Sequence, residues 1–376
     1  MKIYLEPQET LHFRNGRPFN AGEVGYAESI FPPTPETLQG VIRALIASHW
    51  DSKRTMAEVF QAGSDLVQRI GNSSSYGRFR ITDIALAHRI GTTIDPLYPV
   101  PAHILMEEKT ERLFLLKPDD GGSTISNMPP HMRYLVIEGK PKYKLEDAHG
   151  WLTSHDLDTA INAKTSTQLE DITVVKESDV FEREFRVGIG IDSSRKAVEE
   201  GLLYSMQMLR MKKAYRSSEE SYGFLIEMYI AQENALAEEK DDTQRIYDAL
   251  KEGGWATMGG ERRAVGFQAF DTPAPRVSSL DGNLLYLATP AVFSDGWKPD
   301  GSLASLIAAA VPRYEPIGGW RLDPGSSGGG GAKEMHRCVP AGSVYFFNNT
   351  IAVPPAIGEA KTTQIGYGIT RTGVWK

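Results

Sequence analysis

Residues 31–46 constrain the fold more than any other stretch of this chain. Phe31-Pro32-Pro33 holds the backbone extended, Thr34 can cap, and Pro35 suits the first position of a helix. Leu38, Val41, Ile42, Leu45 and Ile46 then recur at i, i+3, i+4, i+7 and i+8, an apolar stripe that has to face a core. Glu36, Gln39, Arg43 and Ala47 lie on the other faces of the helix. Gly40 costs about 1 kcal/mol relative to alanine, which close approach by another backbone would explain.

Strand signals surround this helix. Lys2 to Glu6 reads as a short strand, and His12 to Phe19 is turn-rich around Asn15-Gly16, a tight-turn dipeptide whose residues tolerate positive φ. Between about 90 and 145 the chain is rich in turns and prolines. Ile104 to Met106 and Arg112 to Leu116 suggest a hairpin there, read as an insertion that projects from a compact body. Trp151 to Ile161 is expected to be a short helix. The second half restarts with strands at Glu184–Ile191, Leu202–Lys212 and Ser221–Ile230, followed by a helix at 241–252 that Gly253-Gly254 ends. Two more strands are expected near Leu284–Leu287 and Ser343–Phe347. No repeat is visible, and Ser326 to Gly331 is the one low-complexity stretch.

The order strand, helix, strand, strand recurs in both halves, so the expected class is α+β with two packed units. The division is placed at 1–180, with the hairpin insertion at about 90–145, and 181–376, with its glycine-rich loops. At 376 residues the chain is long enough for two or three domains of roughly 150 residues each.

Charge bears on the partner. The formal net charge is −7, but residues 146–184 and 219–252 each hold 10 acids and 3 bases, which leaves +7 on the remainder. Two acidic segments can therefore face solvent or protein while another face stays basic. The single cysteine, Cys338, excludes an internal disulfide and a thiolate metal cluster. The start MKIYLEPQET lacks the pattern of a signal peptide, and the apolar run Leu303–Val311 is too short to span a bilayer, so a cytoplasmic protein is expected.

Site chemistry reads mainly as absence. The eight histidines have no metal-ligand spacing, no nucleophile elbow occurs, and Gly328 to Lys333 lacks the Lys-[Ser/Thr] of a phosphate loop. No cofactor is expected. More informative are arginines beside glycine turns: Arg14 and Arg17 flank Asn15-Gly16, and Arg262-Arg263 follow Gly259-Gly260. Missing Cβ atoms let a sugar–phosphate chain approach the backbone, and a guanidinium fork grips phosphate. The same residues would also suit a solvated hairpin tip. Lys212 and Lys213, near Arg210 and Arg216, either bind phosphate or guard an exposed strand edge.

Several blocks resemble the third subunit of Cmr complexes, a RAMP-superfamily protein of type III-B CRISPR effectors. They are Phe13 to Phe19, Ala21-Gly22-Glu23, Glu28 to Pro35 and Thr37 to Gly40. Later blocks follow in order: Trp151 to Thr153, Gly190 to Asp192, Glu200 to Tyr204, Gly259 to Arg263, Gly318 to Trp320 and Val339 to Phe347. Asn15 departs from the acidic residue common in that turn. The resemblance implies two ferredoxin-like, RRM-like folds packed together, a projecting hairpin, and a subunit that caps the 5′ tag of the guide RNA. It implies a large polymerase-palm subunit and backbone RAMP subunits as partners, with target RNA a further candidate contact of the hairpin. It implies no catalytic site. It also raises Arg14, Asn15, Gly16, Arg17, Gly259, Gly260, Arg262 and Arg263 as RNA contacts, with His12, Gln39, Arg43, Lys212 and Lys213 beside them. For Arg43 a salt bridge is an equal alternative. The rival reading is a metal-independent endoribonuclease of the same superfamily, which would need His12, Tyr26 and Lys212 to converge for proton transfer.

Overall fold

The computed structural model describes residues 1–15, 26–50, 65–72, 75–119, 129, 131–192, 194–212, 220–232, 237–272, 279–299, 305–321 and 331–376. Gly16, Arg17, Lys213 and the run 326–330 therefore lie outside the described residues.

The chain opens with β1 (Lys2–Pro7) and β2 (Tyr26–Ala27), passes through α1 (Pro35–Trp50) and α2 (Asp65–Ile70), and returns in β3 (Phe79–Ile90) and β4 (Thr93–Pro99). Short strands follow: β5 (Ile104–Glu107), β6 (Leu113–Pro118), β7 (Leu135–Ile137), β8 (Leu145–Asp147) and β9 (Trp151–Thr153), then α3 (Ser154–Asn162). A long hairpin, β10 (Phe181–Asp192) and β11 (Ala197–Met211), leads to β12 (Glu220–Ile230), α4 (Ala237–Lys251), β13 (Gly254–Met258) and β14 (Arg263–Phe270). The last large elements are β15 (Leu280–Leu287), β16 (Leu306–Ala310), β17 (Val344–Val353) and β18 (Thr370–Gly373).

Seven strands form the first sheet, in the order β13-β14-β1-β12-β3-β4-β9. Its antiparallel register sets Ile3 opposite Ile226 and Leu5 opposite Phe224, so these side chains share one face. The predicted stripe of α1 packs there: Leu38, Ile42, Leu45 and Ile46 join Ile3, Leu5, Phe224, Ile226 and Phe267 in one buried cluster. The Thr34 hydroxyl accepts the Thr37 N–H at 3.3 Å, which caps α1 as the sequence predicts.

Gly40 behaves differently from expectation. It is exposed, and a Cβ built on it meets nothing within 4 Å among the described residues, so no backbone approaches it. Gly40→Ala should therefore stabilise the protein by about 0.5–1 kcal/mol, read as a higher melting temperature. A lower melting temperature would reveal a contact at this position.

Three other expectations change in detail. Trp151–Thr153 is strand rather than helix: it pairs with β4, and Thr153 caps the helix that follows by accepting the Asp156 N–H. The division at 180/181 does not follow a sheet boundary, because β12, β13 and β14 complete the sheet that β1 begins. Within 90–145, β5 and β6 form a hairpin but bury Ile104, Leu113, Phe114 and Leu115, because both faces of β6 are apolar. The exposed apolar side chains lie instead on β10 of the β10–β11 hairpin, at Phe185, Val187, Ile189 and Ile191.

A four-stranded sheet, β16-β17-β15-β18, builds the second large core. Tyr286, Val344 and Phe346 pack with Ile104, Leu113, Leu157 and Trp375. A polar tie joins this sheet to the first. The Arg371 guanidinium on β18 donates to the Asp83 carboxylate on β3 at 2.7 Å and to the Tyr98 hydroxyl at 2.9 Å, and Tyr98 donates to the same Asp83 oxygen at 2.6 Å. No described helix is long and apolar enough to cross a membrane.

Candidate nucleic-acid interface

The glycine turn at 259–260 closes directly on the strand segment that carries His12. The Gly260 N–H donates to the His12 carbonyl at 2.8 Å. A Cβ on Gly259 would stand 2.5 Å from that carbonyl oxygen, and one on Gly260 2.9 Å from the imidazole Cδ2. Gly259 also has φ +73°, so the double glycine is required by approach and by conformation together. Beyond it, Glu261 (φ 62°) and Arg262 (φ 51°) both occupy the left-handed region without being glycine. Such residues cost on the order of 1–3 kcal/mol each and cluster at binding sites. The result is that Arg262, exposed, and Arg14, exposed two residues past His12, flank one backbone contact.

The first strand segment is pinned from below. Leu11 exchanges backbone hydrogen bonds with Leu209 of β11, and Arg14 bridges Ser29. His12 is only 5% exposed; its Nδ1 lies 2.7 Å from the Ser29 hydroxyl and 3.0 Å from the Gln207 carbonyl. The Ser29 N–H and one Arg183 N–H both donate to the Gln207 side-chain oxygen, at 3.3 and 3.0 Å. Asn15 reaches back to the Glu28 carboxylate at 3.3 Å. His12 thus ties three segments together below the surface.

Several predicted cations meet acids within the chain. Arg263 pairs with Glu9 at 3.1 Å and Glu261 at 2.8 Å, so it braces the turn that carries Arg262. The Ala264 N–H, with Arg263, holds the Glu9 carboxyl below its ordinary value. Lys212 pairs with Glu182 at 3.3 Å, and Arg210 with Glu184 at 2.6 Å. Gln39 is 4% exposed on α1, and Arg43 on the same helix is half-buried. Burial pushes the Arg43 guanidinium down to about 10, with nearby Tyr76 acting in the opposite direction. Neither lies in the Gly259 turn. Of the predicted set, the structure groups His12, Arg14, Asn15, Gly259, Gly260, Arg262 and Arg263.

Sequence reasoning missed Ser29, Arg183 and Gln207 as the groups that hold this arrangement. Ser29 stood inside a recognised block, but Gln207 lies 178 residues away, and no local pattern links the two. Among the described residues no group of three or more His, Cys, Asp and Glu could hold a metal ion. Two of the three residues that the endoribonuclease alternative needs, His12 and Lys212, are engaged in bonds within the chain. The third, Tyr26, stacks on Phe185 at 6.0 Å between ring centroids.

The fold is a mixed α+β assembly of largely antiparallel sheets with few helices. The family of CRISPR-associated proteins described as Cas_Cmr3 matches residues 3–375, and the chain belongs to that family. Among solved structures it is similar to a chain in the cryo-EM structure of the Type III-B Cmr-beta bound to cognate target RNA and AMPPnP, state 1. The identity is 16%, over 92% of this chain and 86% of that chain, with a TM-score of 0.50. A second cryo-EM structure, of the Type III-B Cmr-beta bound to cognate target RNA, matches with the same identity and coverage at a TM-score of 0.48. At 16% identity the first of these likenesses is one of fold. No curated protein sequence matches the chain.

Proposed function

We propose that this chain is a non-catalytic subunit of a type III-B CRISPR effector ribonucleoprotein that binds and caps the 5′ tag of the guide RNA. In that role it docks the large polymerase-palm subunit and the backbone RAMP subunits in the cytoplasm, for antiviral defence against foreign RNA. Two ferredoxin-like, RRM-like units are part of the reading. The family match over nearly the whole chain supports the assembly. The observation that carries RNA binding is the Gly260–His12 contact, which sets exposed Arg14 and Arg262 on either side of one glycine-built turn. A guanidinium there can grip phosphate in a bidentate fork; the glycines themselves make room for His12, against which the turn closes.

The test is binding of a 5′-tagged guide RNA over a salt series. Each phosphate neutralised on a single strand contributes about −0.7 to the slope of log K against log salt. Arg14→Ala/Arg262→Ala should flatten that slope by roughly 1.4 and weaken binding, with stability changed by no more than about 0.5 kcal/mol. Lysine at both positions should restore the slope but only part of the affinity, because an ammonium lacks the fork. An alanine pair that melts like the parent and keeps the parent's slope would remove these residues from the RNA site.

A further inference from the structure

A tight turn beside the four-stranded sheet carries an exposed tryptophan. Gly296 has φ +67°, and the Lys298 N–H donates to the Asp295 carbonyl at 3.3 Å, so Gly296 and Trp297 form the tip of a two-residue turn. Buried Tyr345 of β17 donates its hydroxyl to the Trp297 carbonyl at 2.6 Å, which ties that tip to the sheet. The indole itself is 43% exposed. Nearby, Glu315–Ile317 pairs antiparallel with His336–Cys338, and Pro316 stands opposite Arg337. Strand alternation turns Glu315 and buried Cys338 to one side and Arg337 to the other. Glu315 accordingly lines a different crevice, with Phe31 and Trp151. The Arg337 guanidinium lies over the Tyr314 ring, 5.4 Å from its centroid, and a guanidinium stacked in this way keeps its N–H edge for an anion.

Trp297, Tyr314 and Arg337 line one cavity of about 600 Å³, with Ala309 of β16 and Val339 among its apolar walls. That volume falls within the range of small-ligand sites. Arg133 lines it too; its backbone N–H donates to the Ile307 carbonyl of β16 at 2.6 Å, and it has a further interaction within the chain. No carboxylate stands among the described residues that line the cavity. The charged residues next to them in the chain, Asp295, Lys298, Arg313 and Glu315, sum to zero. A flat apolar ring beside a cation, with no acid between them, suits a ligand that is aromatic and anionic at once, and a nucleotide is both. A base inside a duplex has its faces covered by its neighbours, so the strand that offers one to an indole is single.

We propose that this cavity holds one nucleotide of a single-stranded RNA, its base stacked on Trp297 and its phosphate on Arg337, irrespective of sequence. Tyr314 positions the Arg337 guanidinium. The inference rests on the reading that the chain binds RNA, but on neither Arg14 nor Arg262.

The experiment measures affinity of the full chain over a salt series for a 5′-tagged guide RNA, an unrelated single strand of equal length, and a fully paired duplex. Trp297→Ala removes an exposed ring and keeps the carbonyl that Tyr345 binds, so it should melt near the parent. It should weaken both single strands about tenfold at an unchanged salt slope, and leave the duplex within about twofold. Trp297→Phe should regain most of the loss, because a phenyl ring still stacks. Arg337→Gln should instead flatten the single-strand slope by about 0.7. If Trp297→Ala and Arg337→Gln bind both single strands like the parent, while Arg14→Ala/Arg262→Ala does not, the cavity is no RNA site and this inference alone falls. A loss that the duplex shares equally also overturns it. Binding of AMP that needs Trp297, with RNA binding unaffected by the variant, assigns the cavity to a free nucleotide and overturns it as well. A parent chain that binds neither single strand overturns the RNA reading and this inference together.

Discussion

Arg371→Ala is expected to destabilise the protein by about 3 kcal/mol, the lower end of the cost of breaking a buried ion pair. The lower end applies because Arg371 and Asp83 keep a quarter and a sixth of their side-chain surface. The cost is still large because of what remains behind. Asp83 Oδ1 is buried with no hydrogen-bond partner among the described residues, and the other oxygen carries both the Arg371 and the Tyr98 bonds. Removal of the guanidinium leaves a carboxylate held by one hydroxyl, and strips the cation from above the Tyr98 ring, 5.0 Å from its centroid. Urea unfolding of Arg371→Ala, Asp83→Ala and the double variant gives the test. The double variant should cost at least about 1 kcal/mol less than the two single losses together, because each single change strands the other partner. A loss below about 1 kcal/mol for Arg371→Ala would mean that the tie between the two sheets carries little of the stability.

The second large effect is acid sensitivity at His103. This side chain is fully buried beside the Phe346 ring, 5.6 Å between centroids, and burial pushes its imidazole down to about 3. The unfolded chain protonates the same ring near 6.5, so between those values the unfolded state holds a proton that the folded state lacks. The stability that neutral His103 provides is complete above about pH 6.5 and is lost as pH falls toward 3. At about 1.4 kcal/mol per unit, that is a loss of about 2 kcal/mol between pH 6.5 and 5. His103→Gln keeps a polar side chain that does not titrate. The parent should lose about 2 kcal/mol more than this variant over that interval, since carboxylates common to both cancel. Parallel stability curves would show that His103 accepts its proton without leaving the folded state.

Local signals were legible where one element decides its own fate. The stripe of α1 predicted its buried face residue by residue, because a helix of period 3.6 has only one way to bury Leu38, Ile42 and Ile46 together. The strands at 184–191, 202–212 and 221–230 were legible for the same reason. Glycine at 259 and 260 was legible as a turn, though its purpose was not: the backbone it must avoid belongs to His12, almost the whole first sheet away in sequence.

The sequence by itself determined the elements, the family and the presence of arginines at glycine turns. Only the tertiary structure decided which of those cations brace the turn and its neighbours. Arg263 and Lys212 look like Arg262 and Arg14 in one dimension, yet Glu9, Glu261 and Glu182 neutralise the first two, and their acids come from other strands. The same holds for the histidine. His12 sits beside the proposed RNA-binding turn in sequence, but strand pairing between Leu11 and Leu209 carries it beneath the surface, to Ser29 and Gln207. A residue's charge and local geometry are written in its neighbours along the chain. Its burial and its counter-ions depend on which distant strands the sheet brings alongside, and hydrophobic periodicity alone does not specify that pairing.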